Sequence, residues 1–167
     1  LCSGFLNTKK HLLTFGRGCN EPITVPVPFF LIEHPKHGYV LFDAGMADAV
    51  VDDADAHWGP VVSVYEPVMS SKQTVSGQLA TLNVSPEQVN WVVLSHLHLD
   101  HAGAVAQFPN ATMVVQRREL EWAYVPDFYQ KNAYIRQDFD HDLNWMFLNG
   151  EADDHFDLFG DQSLIIW

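Results

Sequence analysis

The run His96-Leu97-His98-Leu99-Asp100-His101 decides how this chain is interpreted. Four side chains that can bind metal lie within six positions, between the apolar residues 91–94 and the small residues 102–104. In an extended segment, residues two apart point to the same side, so His96 and His98 can converge on one metal ion. The chain then turns, and Asp100 and His101 can face a second ion nearby. Ordinary surface or core histidines are the alternative, but they explain this density of ligands poorly.

The run follows the pattern His-x-His-x-Asp-His and in this respect resembles the metallo-β-lactamase superfamily. Within that superfamily the chain resembles the N-acyl-homoserine lactonases, which are quorum-quenching enzymes, and more narrowly their agrobacterial-type branch. The stretches that carry the resemblance are residues 25–32, 40–45, 57–59, 95–101, 108–112, 115–117, 134–136, 147–150 and 159–161. The resemblance implies an α/β fold, the αβ/βα sandwich, in which two sheets pack face to face with helices outside.

The resemblance also implies roles for individual residues. His96 and His98 would hold the first of two zinc ions, with other divalent metals open, and Asp100 and His101 would belong to the second. Asp100 would act in catalysis, by orienting the nucleophile or passing a proton to the leaving alcohol. Asp43 is expected to hydrogen-bond near the ligands, in an Asp-Ala-Gly sequence where the family usually has Asp-Thr-Gly. The implied reaction of the complete protein is the opening of N-acyl homoserine lactones or related small lactones by a metal-bound hydroxide.

Both ends of the chain depart from the family pattern. The chain begins at Leu1 without Met and ends at Trp167. The family supplies a third histidine from a Pro-Gly-His loop, a bridging aspartate and a last histidine further on. We therefore expect residues 1–167 to form one incomplete metallo-β-lactamase-like domain, mainly the first half of the sandwich, of a longer natural protein.

Several aromatic residues are candidates for a pocket that holds the acyl chain or the lactone. These are Phe29, Phe30, Trp58, Tyr65 and Trp122. Core packing is the alternative for each of them, because aromatic side chains also dominate protein cores.

Isolated histidines and aspartates carry no comparable signal. Most of the histidines outside the run are interpreted as surface or loop residues, namely His11, His34, His37, His57, His141 and His155. Asp138, Asp140 and Asp142 alternate as in a calcium loop but lack its glycine and its bidentate glutamate. We interpret four further aspartates as part of a solvated acidic face, namely Asp153, Asp154, Asp157 and Asp161.

Length, composition and charge narrow the classes of function. A chain of 167 residues with 47 % hydrophobic residues can form one domain with a sizeable core. The formal net charge of −12 argues against nucleic acid as a partner, because phosphate binding relies on Lys and Arg, and disfavours an anionic membrane surface. We expect a small-molecule lactone as the substrate, no nucleic acid and no membrane partner, and leave a homodimer open.

The cysteines bear on the compartment. Only Cys2 and Cys19 are present, which is too few for a disulfide framework and favours reduced thiols in a cytoplasm, with a single bridge as the alternative. The family resemblance implies a bacterial protein. A chain that begins without Met leaves a signal peptide open.

Hydrophobic patterns predict alternating strands and helices. Short apolar runs on both sides of residues 35–38 predict a β-hairpin. Helices are predicted over residues 72–82, 102–108 and 119–124, and strands over residues 91–95, 112–116, 145–148 and 164–167. Residues 52–71 and 126–144 lack a clear period, and we expect them to be irregular.

Rival functions remain open at this point. One is another hydrolase of the same superfamily, a glyoxalase-II-like thioesterase or a β-lactamase-like amidase. Another is an inactive fragment or pseudoenzyme. The di-iron flavoprotein branch carries Glu where this chain has His98, which argues against redox chemistry.

Overall fold

Strands and short helices alternate along the chain in the computed structural model, which describes residues 1–14, 16–150 and 155–167. The strands are β1 (Cys2–Lys9), β2 (Pro22–Pro28), β3 (Phe30–His34), β4 (Gly38–Phe42), β5 (Glu66–Val68), β6 (Val89–Val93), β7 (Thr112–Gln116), β8 (Asn144–Leu148), β9 (Phe156–Asp157) and β10 (Ile165–Ile166). The helices are α1 (Lys10–Leu13), α2 (Ala49–Trp58), α3 (Val75–Ala80), α4 (Arg117–Tyr124) and α5 (Arg136–Phe139). Turns of 3₁₀-helix cover Gly59–Ser63, Pro86–Gln88, Val105–Gln107 and Lys131–Ala133. Asp153 and Asp154, expected on a solvated face, lie outside the described residues.

A five-stranded sheet positions the predicted site. Its order is β3-β4-β6-β7-β8. β3 and β4 form the antiparallel hairpin that the sequence predicts, and β4, β6, β7 and β8 run parallel to one another. Because parallel strands end at the same edge of a sheet, the segment after β4 and the segment after β6 lie side by side. These segments carry Asp43 and the run of residues 96–101.

Both faces of this sheet carry buried apolar residues that pack against other elements. Leu41, Val92 and Met113 belong to a core cluster that includes residues of α3, α4 and α5. Their neighbours Val40, Val93 and Val114 pack on the opposite face against residues of the β9–β10 hairpin. Successive side chains of a strand point to opposite faces, so these apolar runs bury both sides, as is usual for parallel strands.

A smaller antiparallel sheet has the order β2-β1-β5 and contributes to a second hydrophobic cluster, beside the run of residues 96–101. Leu6 and Val27 of this sheet share a hydrophobic cluster with Trp58 of α2 and with Leu99 from the run. The α/β class that the sequence predicts is therefore confirmed: the described residues form one mixed sheet, two smaller antiparallel sheets and the helices around them. No helix among the described residues is long and apolar enough to cross a membrane.

Three stretches differ from the sequence predictions. Residues 52–71 were expected to be irregular, but they include most of α2, a 3₁₀ turn and β5. Asp53 has non-helical backbone angles within α2, and this kink breaks the hydrophobic period that would have indicated a helix. The helix predicted over residues 102–108 is reduced to a 3₁₀ turn, because Gly103 and Ala104 donate their N–H groups to the loop after β4. Residues 126–144, expected to be irregular, contain α5.

Two histidines interpreted as surface residues are instead hydrogen-bonded inside the fold, His34 buried and His57 partly buried. His34 Nε2 lies 2.9 Å from Ser163 Oγ. His57 Nε2 lies 2.7 Å from Asp138 Oδ1, and the side chain of Asp138 is only 3 % exposed. Both contacts join segments far apart in sequence, which is why local patterns did not indicate them.

Candidate metal centre

Two loops at the carboxyl edge of the main sheet are joined by backbone hydrogen bonds. Ala44 N donates to His101 O at 2.7 Å, and Gly103 N donates to Gly45 O at 2.8 Å. A Cβ on Gly103 would lie 2.1 Å from the backbone nitrogen of Ala47, so only glycine permits this approach. The small residues after the run therefore allow the two loops to come into direct contact.

Asp43 connects these loops through its buried carboxylate. Its side chain is 6 % exposed, and its backbone has a φ of 62°, in the left-handed region. Oδ1 accepts a hydrogen bond from Ser95 N at 2.8 Å, and Oδ2 accepts one from Ser95 Oγ at 2.9 Å. His101 Nδ1 lies 2.8 Å from the same Oδ2. Asp43 thus fixes the start of the run and one of its histidines, as expected of a group that orients ligands.

The four predicted ligands lie next to one another. The ring of His96 has its centroid 4.4 Å from that of His98 and 4.0 Å from that of His101. Asp100 Oδ2 lies 3.5 Å from His101 Nε2. Ser95 Oγ is 3.0 Å from His96 Nδ1, so on both His96 and His101 the Nδ1 atom has a partner. A metal would bind these histidines through Nε2, where it would replace the contact of His101 with Asp100.

As they stand, these side chains contact one another rather than a common point. Within residues 1–14, 16–150 and 155–167, no group of three or more His, Cys, Asp or Glu side chains is arranged to hold a metal ion. The metal roles of His96, His98, Asp100 and His101 therefore stay a prediction. Their support here is proximity, together with the chemistry of the donor atoms.

Burial and neighbouring charges set the protonation of this cluster. Burial lowers the pKa of His96 to about 4, and the nearby His101 and His98 act in the same direction. Burial also lowers the pKa of His98. Burial opposes ionisation of His101, but its hydrogen bonds with Asp100 and Asp43 outweigh this and raise its pKa to about 9. For Asp100, burial acts to raise the pKa, and the hydrogen bond from His101 overcomes it, so the pKa is lowered.

This pattern fits a divalent metal. His96 and His98 are neutral imidazoles and Asp100 is a carboxylate, which are the states that bind metal. His101 would lose its proton when a cation replaces it as the partner of Asp100, since metal binding releases protons from its ligands. Imidazole and carboxylate donors together suit zinc and neighbouring transition metals.

Two cavities adjoin the cluster. One of about 600 Å³ is lined by His96, His98 and Trp122, among others. Another of about 470 Å³ is lined by His98, Asp100 and Tyr65, among others. Trp122 and Tyr65 are thus the two pocket candidates that the structure brings to the cluster.

The other three pocket candidates lie elsewhere. Phe29 is fully buried in the main core cluster, and Trp58 is 4 % exposed within the cluster beside the smaller sheet. Both positions agree with the alternative of core packing. Phe30 is 54 % exposed and lines a different cavity, beside Phe42 and Ile165. Phe29 and Phe30 diverge because neighbouring residues in an extended chain point to opposite sides.

Sequence reasoning did not assign three further residues near the cluster. Ser95 bonds Asp43, as described above. Glu119 Oε1 accepts a hydrogen bond from Leu97 N at 2.8 Å and another from Tyr134 Oη at 3.1 Å. Ser95 and Tyr134 lie in stretches that carry the family resemblance, so they could have been candidates. Glu119 is an ordinary helix residue by pattern and had no such signal.

Comparison with known proteins places this site in a family. Residues 23–162 match the model of the metallo-beta-lactamase superfamily. The chain belongs to this superfamily. It is 47 % identical over 165 residues to the N-acyl homoserine lactonase AttM of Azorhizobium caulinodans, an alignment that covers 98 % of this chain and 62 % of that protein.

Solved structures confirm the metallo-β-lactamase fold. An N-acyl homoserine lactone hydrolase with the product N-hexanoyl-L-homoserine at its catalytic metal centre superposes with a TM-score of 0.80 and 23 % identity, over 95 % of this chain and 60 % of that one. AidC, described as a dizinc quorum-quenching lactonase, superposes with a TM-score of 0.57 and 14 % identity, over 91 % of this chain and 57 % of that one. At such identities these likenesses concern the fold alone.

Proposed function

We propose that the protein is a hydrolase that opens the lactone ring of N-acyl homoserine lactones, as the quorum-quenching lactonases do. The 47 % identity to the lactonase AttM carries this proposal, because the alignment covers 98 % of the chain and so includes the metal-binding run. The chain spans about 62 % of the length of that relative. The activity is therefore proposed for the protein that carries this chain.

The metal part of the proposal concerns four residues. His96 and His98 would hold one zinc ion, and Asp100 and His101 would belong to a second, with other divalent metals possible. Zinc bound there would polarise the ester carbonyl and stabilise the negative charge that develops on oxygen.

The remaining chemistry falls to the side chains. Water adds to the lactone carbonyl carbon, the ring C–O bond breaks, and the product is an N-acyl homoserine with a free hydroxyl and a carboxylic acid, which releases its proton to solvent as the carboxylate. Asp100 accepts the proton that water loses and returns it to the departing ring oxygen. Asp43 holds His101 through its 2.8 Å contact and so keeps that ring oriented beside Asp100. We propose Tyr65 and Trp122 as walls for the acyl chain, because each lines a cavity shared with His98.

The test compares kcat/KM for N-hexanoyl homoserine lactone, γ-butyrolactone, a glutathione thioester and a β-lactam. We expect the acyl homoserine lactone to be the best substrate. Faster turnover of the thioester or the β-lactam would refute the proposal in favour of another hydrolase of the superfamily. Faster turnover of γ-butyrolactone would still agree with a lactonase but would refute a preference for lactones with an acyl chain.

A matched pair of variants tests the role of Asp100. Asp100→Asn is expected to lower kcat by about 10²–10⁴-fold, because an amide cannot relay the proton. Asp142→Asn, at an exposed aspartate, is the control and should leave kcat unchanged. An Asp100→Asn enzyme with the wild-type kcat would contradict the assigned role.

We also propose a compartment for the protein. Cys2 and Cys19 are both free thiols, which is consistent with the cytoplasm. A homodimer stays a prediction, which the molecular mass in solution would test.

A further inference from the structure

A single carboxylate oxygen joins three segments around His98. Glu119, on the first turn of α4, accepts the backbone N–H of Leu97 at 2.8 Å through Oε1. Leu97 lies between His96 and His98 in the sequence. The same oxygen accepts the hydroxyl of Tyr134 at 3.1 Å. Glu119 therefore holds the backbone of the run and the side chain of Tyr134 in a fixed relation.

Tyr134 packs directly on His98. The two ring centroids are 4.6 Å apart with the planes at 76°, an edge-to-face contact. The segment that carries Tyr134 is itself held, because Leu99 N donates to Ala133 O at 2.8 Å. The backbone on both sides of His98 and its ring are thus held by neighbouring segments, that of Tyr134 and that of Glu119.

The ring of His98 is held in a different way from the rings of the other two histidines of the run. The Nδ1 atoms of His96 and His101 have hydrogen-bond partners in Ser95 and Asp43. Among the contacts of the described residues, neither ring nitrogen of His98 has a hydrogen-bond partner, and its ring is placed by packing. Both rings of this contact line the 600 Å³ cavity together with Glu119.

We propose that Glu119 and Tyr134 are positioning residues that set the orientation of His98 for metal binding. They would orient the ring of His98, as Ser95 orients the ring of His96 and Asp43 orients the ring of His101. The inference rests on the proposed function in one respect, that His98 is a metal ligand. It adds that the ring of Tyr134 acts through packing and that the carboxylate acts by fixing both Tyr134 and the backbone of Leu97.

The test measures zinc affinity by competition with a chelating dye. The variants of Tyr134 remove either the whole ring or only its hydroxyl, and the variants of Glu119 remove either the whole carboxylate or only its charge. Tyr134→Leu and Glu119→Ala are expected to weaken zinc binding about 10–100-fold, as loss of groups that orient ligands typically does. Tyr134→Phe keeps the ring, and Glu119→Gln keeps an oxygen acceptor, so both should stay closer to the wild type. Glu121→Ala is the matched control, because Glu121 is an exposed residue of the same helix.

A second readout needs no metal. In the metal-free protein, the ring ¹H and ¹⁵N signals of His98 should shift in Tyr134→Leu, because an aromatic ring no longer lies against the imidazole. They should shift much less in Glu121→Ala. If Glu119→Ala does not fold, the comparison of Tyr134→Phe with Tyr134→Leu decides the question, since it tests the ring alone.

The outcomes separate this inference from the proposed function. Wild-type zinc affinity in folded Tyr134→Leu, or an equal loss in Glu121→Ala, would overturn the positioning role. A wild-type protein that binds zinc but opens no lactone would refute the proposed function and leave the positioning test standing. A wild-type protein without measurable zinc affinity would overturn both the positioning role and the metal part of the function.

Discussion

Substitution of Gly103 by alanine should separate the two loops that build the candidate metal centre. Gly103 follows the run by two residues and packs against the backbone of the loop after β4. An added Cβ would lie 2.1 Å from Ala47 N, 2.5 Å from Met46 C and 2.8 Å from Gly45 O. All three atoms belong to the backbone, so no side chain can turn away to make room, and one loop must move.

The cost follows from what that movement breaks. Overpacking of a close contact costs about 1–3 kcal/mol. The movement also weakens the hydrogen bond from Gly103 N to Gly45 O and the one from Ala104 N to Ala44 O, each worth about 1 kcal/mol. We expect Gly103→Ala to lower the free energy of unfolding by about 3–5 kcal/mol, a large part of the roughly 5–15 kcal/mol typical of a domain. Because these hydrogen bonds join the loop that follows Asp43 to the segment that follows His101, zinc affinity should fall as well.

Urea unfolding and zinc competition measure the two effects. Gly160→Ala is the control, because nothing lies within 4 Å of the position of its Cβ and only the strain of a φ of 74° remains. That strain costs about 1–2 kcal/mol and should leave zinc affinity unchanged. If Gly103→Ala unfolds at the same urea concentration as the wild type and keeps its zinc affinity, the account of how these loops meet is wrong.

Further predictions concern a buried hydrogen bond and the metal. His57→Ala should lower the free energy of unfolding by about 1–3 kcal/mol in urea, because the carboxyl group of Asp138, 3 % exposed, loses its hydrogen-bond partner; an unchanged free energy of unfolding would contradict this. Arg136→Ala, which breaks an exposed ion pair with Asp140, should lower the free energy of unfolding by about 1 kcal/mol or less in the same assay. A loss larger than that of His57→Ala would refute the expected difference between a buried and an exposed contact. Zinc at 100 times its Kd should raise the free energy of unfolding by about 2.7 kcal/mol, an effect that His96→Ala should reduce; equal stabilisation of both proteins would exclude His96 as a ligand.

Local sequence signals were sufficient for the elements that carry the run. The apolar residues before the run predict a strand, and β6 ends two residues before Ser95. The strand predicted over residues 112–116 is β7. Apolar runs of this length between turn residues indicate buried strands. Because β4 and β6 are parallel neighbours, Asp43 after β4 then lies beside the run after β6. The α/β fold and the grouping of the predicted ligands could therefore be inferred from sequence.

Contacts between distant segments could not be inferred in the same way. Glu119 and Leu97 are 22 positions apart, and His57 and Asp138 are 81 apart. No periodicity records which polar side chains meet across such distances, because tertiary packing selects the partners. The same limit applies to Phe29: alternation indicates that it and Phe30 diverge, but not which of them enters the core.

The central claim is that the run holds a metal that is needed to open a lactone. Its most direct test follows the hydrolysis of N-hexanoyl homoserine lactone by the protein as purified, after removal of metal with a chelator, and after zinc is added back. We predict that activity is lost on chelation, returns with zinc, and does not return in a folded His98→Ala variant. Unchanged lactone hydrolysis in the chelated protein, or full recovery in His98→Ala, would contradict the account.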